Sequence, residues 1–154
     1  MPLAAALDER LFGGKAVSLG RALRAGLPVP DGLALSVPYV GDIANGHDAA
    51  VANLLTQEHV TAERVAVRSS AVGEDSSDAS FAGQHATHLN VRRHGLPAAV
   101  RAVWESGRTP GALAYRAQKG LAPEPAVAVV VQPLIEPVAA GVLFTDRKST
   151  RLNS

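Results

Sequence analysis

The sequence contains no cysteine, which removes disulfides, thiolate metal sites and a cysteine nucleophile together. A reducing cytoplasm is the compartment that fits such a composition. Aromatic residues are scarce at 4%, charged residues stop at 19%, and 15 basic against 14 acidic residues leave a formal charge of +1. No broad polybasic surface is available for nucleic acid or an anionic membrane. Long apolar runs are missing too. The longest uninterrupted one, Ala126 to Val131, falls far short of the ~20 residues that cross a bilayer. The opening MPLAAALDER has no basic stretch ahead of an apolar one, so it does not read as a secretory leader. What remains is a chain of 154 residues, 47% hydrophobic, about one domain long and with apolar material for one core.

The last nine residues, DRKSTRLNS, contain no Ala, Val, Gly or Pro and follow directly on the apolar VAAGVLFT. They resemble the translation of a DNA-sequencing adapter, and we read 146–154 as a non-native tail and 1–145 as the natural part, a partial domain. The tail carries a net +2, which leaves residues 1–145 at −1.

Along the chain, Ala16, Leu19 and Leu23 fall at helical spacing after Gly13-Gly14, and Gly26 stands where a helix stops, so a helix is expected from Lys15 to Ala25. After the turn-forming LPVPDG, the segment LALS reads as a short strand. Residues 38–58 read as one or two helices interrupted at Gly46, with Ala49, Ala50, Val51, Leu54 and Leu55 as buried candidates. ERVAVRSS is a buried strand turning polar at Arg68, AVGEDSSDASFAGQ a long loop, and HATHLNV an alternating strand. Two helices are expected over 96–119, the first carrying Val100, Val103 and Trp104, the second Leu113 and Tyr115. AVAVVVQ has the β-branched density of a central strand, and AAGVLFT reads as a final strand. The expected class is α+β, with an α/β-like alternation of elements.

Several chemistries are absent. The Walker A spacing fails before Lys15, G-x-G-x-x-G does not occur, and neither does the G-x-S-x-G elbow of hydrolases. The five histidines lack metal-ligand spacing: His85 and His88 would point to opposite faces of a strand, and His47, His59 and His94 fall in loops or near helix ends. Glu74, Asp75 and Asp78 could hold Mg²⁺, although an acidic, serine-rich loop is also simply well solvated. What is left suits an anion. Lys15 follows two glycines at a helix start, where backbone N–H groups and the helix dipole favour negative charge. Arg68 ends an apolar strand and aims a planar fork into loop space, which suits phosphate. The plainer readings are a solvated lysine after a turn and a surface arginine paired with Glu74 or Asp75.

Taken in order, GGKAVSLGRALRAGLPVPDGLALS, VAVRSSAVGEDSSDASFAGQHATHLNV, YRAQKGL and VAVVVQPLIEPVAAGVLFT resemble the N-terminal ATP/AMP-binding domain of the pyruvate phosphate dikinase and phosphoenolpyruvate synthase family, which rifampicin phosphotransferases share. The resemblance runs through most of residues 10–145, and V-R-S-S…E-D…S-F-A-G-Q is its most specific part. It implies the N-terminal portion of an ATP-grasp nucleotide-binding domain. By matching motif, Lys15 and Arg68 would be the catalytic pair on the ATP phosphates. Gly83 and Thr87 would belong to a loop over the triphosphate, and Gln132 would stand at the adenine hinge.

The implied reaction splits ATP to AMP and passes a phosphoryl group through a histidine, carried on another domain, to pyruvate or to a drug hydroxyl. The resemblance places the Mg²⁺ ligands in a C-terminal part beyond this chain and assigns none here. The partners so implied are the nucleotide, the acceptor and the phosphohistidine domain. Two competing expectations are a nucleotide- or anion-binding module without turnover and a structural fragment with no ligand.

Overall fold

The computed structural model describes residues 1–57, 62–72, 86–118, 120–139 and 141. Four strands, Leu33–Leu35 (β1), Arg64–Ala71 (β2), Thr87–Arg92 (β3) and Val127–Pro133 (β4), form one sheet of order β1-β4-β2-β3 in which every pairing is antiparallel. Among the described residues, five α-helices accompany it: Glu9–Arg24 (α1), Val37–Ala44 (α2), Asp48–Thr56 (α3), Leu96–Ser106 (α4) and Pro110–Gln118 (α5). The class is α+β, as the sequence led us to expect.

The run that makes β4 apolar on both sides also puts it in the middle. It pairs with β1 through Leu33↔Val131 and Leu35↔Val129, and with β2 from Val65↔Pro133 to Ala71↔Val127. Because strand side chains alternate, Val127, Val129 and Val131 enter one core with Leu33, Leu35, Val65 and Val67, closed by Val40 and Ile43 of α2, Leu54 of α3 and Leu96, Val100 and Val103 of α4. The opposite face carries Ala34 and Val130 into a smaller core with Phe12 and Ala16 of α1 and with Leu3 and Ala6. Helices on both faces keep water from β4, whose residues 127–131 are at most 1% exposed.

Local chemistry sets the ends of α1. The Asp8 carboxylate caps its start by accepting from the Arg10 N–H at 2.8 Å. Its C-terminus closes in a Schellman arrangement, with Gly26 at φ 72° and the N–H groups of Gly26 and Leu27 donating to the Leu23 and Ala22 carbonyls. Gly46, at φ 77°, separates α2 from α3. The link into β4 is held by two arginines. Arg116 is 7% exposed and donates to the carbonyls of Ala122 (2.9 Å) and Glu124 (3.4 Å). Arg108 stacks on Trp104 at 3.6 Å and donates to Pro125 O. Burial lowers the pKa of both guanidinium groups.

Three details depart from the expected pattern. Helix α1 carries an extra helical turn from Glu9, and after the non-helical break at Gly13 it continues over the stretch expected from Lys15. Helix α5 turns Ala112 and Arg116 inward, one turn apart, and leaves Leu113 exposed at 39%. Of the candidates in α3 only Leu54 is fully buried; Ala49 faces solvent, while Ala50 and Val51 pack partly on the core. The expected strand AAGVLFT lies mostly outside the described residues, as do the loop with Gly83 and the tail 146–154.

Candidate functional site

The G-G-K and V-R-S-S motifs meet in space. Gly13 adopts φ 75° and ψ 162°, a conformation reserved for glycine, and breaks α1 where it comes against β2. A Cβ at Gly13 would lie 2.0 Å from the backbone oxygen of Ser70, so only glycine permits this approach. Beyond the break, Lys15 Nζ donates to the Ser69 carbonyl at 2.7 Å. The buried Ser70 hydroxyl donates to Phe12 O at 2.7 Å and accepts from the Ala16 N–H at 3.0 Å.

Alternation along β2 turns Ala66, Arg68 and Ser70 toward the face that α1 covers, and Val65 and Val67 toward α4. Arg68 pairs with Val130 on one side and Thr87 on the other, while Ala66 pairs with Gln132. Cross-strand partners share a face. Arg68, Thr87 and Gln132 therefore lie on the same side of the sheet, the side from which Lys15 reaches β2. Arg68 is half-buried, and among the described residues its guanidinium has no hydrogen bond or ion pair. Thr87 is exposed. Gln132 is only 6% exposed, and its Nε2 donates to Pro30 O at 2.6 Å, tying the connection ahead of β1 to the end of β4. Gly83, and with it Glu74, Asp75 and Asp78, lie outside the described residues.

Sequence reasoning gave Gly13, Ser69 and Ser70 no role at the site. The signal for the serines was there: two small polar residues continue a strand that is otherwise apolar, and both are nearly inaccessible, at 2% and 0%. Buried hydroxyls in such a place need partners. Among the described residues His47 and His88 do not join the site; His59 and His85 lie outside the described residues. His88 faces away from Arg68 with its Nε2 buried and unpartnered, and His47 stands 3.1 Å from Asp42 at the surface. Among the described residues no three His, Asp or Glu side chains gather as a metal site, so no metal ligand is assigned.

The family described as pyruvate phosphate dikinase, AMP/ATP-binding domain, matches residues 35–154. A probable phosphoenolpyruvate synthase of Archaeoglobus fulgidus is 34% identical over 90% of this chain and 25% of its own length. The phosphoenolpyruvate synthase of Aeropyrum pernix is 31% identical over 88% of this chain and 22% of its own length. A rifampicin phosphotransferase of Bacillus cereus is 43% identical over 52% of this chain and 9% of its own length. The chain thus spans about a quarter or less of each of these relatives. A lysine and an arginine presented from one face of the sheet, with a family match over most of the sequence, lead to one conclusion: the chain belongs to the AMP/ATP-binding domain family of pyruvate phosphate dikinase.

Proposed function

We propose that this chain is the ATP-binding part of a dikinase-type phosphotransferase similar to phosphoenolpyruvate synthase. One observation supports the reading above others: Lys15, Arg68, Thr87 and Gln132, from four separate segments, lie on one side of one sheet beside the break in α1. Two cations from different elements suit a triphosphate, whose charge must be held while a phosphoryl group moves. In this reading Lys15 and Arg68 hold the phosphates and Gly83 belongs to the loop over them; Thr87, expected in that loop, instead opens strand β3 opposite Arg68 where the loop ends, and Gln132 stands at the adenine hinge of an ATP-grasp cleft. Its side-chain hydrogen bond to Pro30 O would keep that hinge rigid.

The reaction proposed for the whole protein splits ATP to AMP, with phosphoryl transfer through a histidine on another domain. Pyruvate is the acceptor we favour, because two of the compared relatives are named as phosphoenolpyruvate synthases; an antibiotic hydroxyl is the alternative raised by the rifampicin phosphotransferase. Mg²⁺ would shield the phosphate charge, from ligands other than the described residues, and the compartment in this proposal is the cytoplasm.

The test uses the full-length protein that carries this domain. Charge-assisted hydrogen bonds are worth about 1.5–3 kcal/mol each, so Arg68→Ala should lower ATP affinity, read by calorimetry, roughly ten- to a hundredfold with little change in melting temperature. Arg68→Lys should recover little, because an ammonium lacks the planar fork. Unchanged ATP affinity in Arg68→Ala, or no ATP binding by the unsubstituted protein, would refute the proposal.

A further inference from the structure

We infer that Ser70 is the positioning residue of the nucleotide site, holding Lys15 in fixed relation to Arg68; the inference rests on the reading under Proposed function. The observation is where its two hydrogen bonds land. In an uninterrupted α-helix the Ala16 N–H would donate directly to the carbonyl four residues earlier, which is that of Phe12. These are the two groups that the Ser70 hydroxyl joins, accepting from Ala16 N at 3.0 Å and donating to Phe12 O at 2.7 Å. A side chain from the sheet has entered the helical ladder and stands in for the bond that the break at Gly13 opens.

The consequence for the site is geometric. Lys15 lies inside the bridged turn, between Phe12 and Ala16, so its backbone is carried by Ser70 while its Nζ reaches the neighbouring Ser69 carbonyl at 2.7 Å. Arg68 stands two residues before Ser70 on the same strand and the same face. One hydroxyl thereby sets the distance between two cations that the sequence keeps far apart. Serine is the fitting residue. An alanine offers neither donor nor acceptor, so the Ala16 N–H and the Phe12 carbonyl would lose their partner and the turn that carries Lys15 would no longer be tied to β2. Because Ser70 is fully buried, it acts through Lys15 and Arg68 and touches no ligand.

The experiment compares the unsubstituted full-length protein with Ser70→Ala and Ser70→Thr, measuring Kd for ATP and for adenosine together with melting temperature. Adenosine carries no phosphate, so it reports on the base pocket alone. In Ser70→Ala, ATP affinity should fall at least tenfold while adenosine affinity stays within about twofold. Ser70→Thr keeps the hydroxyl and should return ATP affinity to within about threefold of the unsubstituted protein even where its added methyl lowers the melting temperature. Equal losses for ATP and adenosine would mean that Ser70 only supports folding, and unchanged ATP affinity would mean that it positions nothing; either overturns the inference. If Ser70→Ala does not fold, an ATP affinity for Ser70→Thr reduced tenfold or more overturns it as well. Amide exchange at Ala16 without nucleotide separates the two levels: it should speed up in Ser70→Ala whether or not ATP binds. Failure of the unsubstituted protein to bind ATP would remove the nucleotide reading and the positioning role together, whereas unchanged Ala16 exchange alone would refute the bridge.

Discussion

Replacing Gly13 by alanine tests the contact on which the site depends. Two costs add. Alanine at φ 75° and ψ 162° occupies a region that only glycine visits freely, a strain of about 1–3 kcal/mol. Its Cβ would also start 2.0 Å from the Ser70 oxygen, which belongs to a strand paired along its length with β4, and relieving such overpacking costs roughly 1–3 kcal/mol more. The expected loss is therefore about 2–6 kcal/mol. In urea, with an m-value of about 2 kcal/mol per M, the unfolding midpoint read by circular dichroism should fall by about 1–3 M, or the variant should already be unfolded in buffer. Two other glycines calibrate the result. Gly26 has φ 72° but nothing within 4 Å of an added Cβ, so Gly26→Ala carries only the backbone term, about 1–2 kcal/mol. Gly41 lies inside α2 with open space around it and no positive φ, so Gly41→Ala should stabilise by about 0.5–1 kcal/mol. A midpoint for Gly13→Ala within about 0.3 M of the unsubstituted chain, or a loss no larger than that of Gly26→Ala, would refute the reasoning.

Two further outcomes are expected. Arg116→Lys cannot hold the Ala122 and Glu124 carbonyls together, and the loss of about 1.5–3 kcal/mol should lower Tm by roughly 3–12 °C at about 2–4 °C per kcal/mol; a change under about 1 °C in a thermal melt would count against that role. Burial raises the Tyr39 pKa above its ordinary 10.0. The unfolded chain therefore ionises first, and this contribution to stability is fully present below pH 10 and fades as pH rises through the folded value. Urea midpoints should fall more steeply above pH 10 for the unsubstituted chain than for Tyr39→Phe, and parallel profiles would contradict the assignment.

Much of the fold was legible because it rests on local periodicity. The β-branched run of β4 announced a strand covered on both faces, and the Gly46 break between α2 and α3 needed only a glycine in an apolar helical pattern. Strand β3 shows where alternation misleads. His88 and Asn90 ought to share a face, but Asn90 sits at φ 60° in a bulge opposite Ala66, and the extra residue turns Val91, rather than Asn90, toward the core with His88. Arg116 was illegible as an inward residue, since its partners are carbonyls of a loop that no side-chain pattern encodes. At the candidate site, Lys15 and Arg68 were visible as residue types next to glycines and a strand end. The bond from Lys15 to Ser69 and the bridge through Ser70 join positions more than fifty residues apart, and a linear reading has no term for that separation.

The strand order also dictates when this domain can exist during synthesis. Of the four strands of this sheet β4 is the last to leave the ribosome, yet it lies between β1 and β2, which have no pairing with each other. Until residue 133 has emerged, β1 is a lone strand and the β2–β3 pair keeps an open edge, so Leu33, Leu35, Val65 and Val67 lack the strand that joins them. The sheet must wait for a contact between residues nearly a hundred positions apart, Leu33 with Val131, so its assembly is slow by topology and completes only when all four strands have been made. A nascent chain stalled between β3 and β4 would show a chaperone the very valines that the finished sheet conceals.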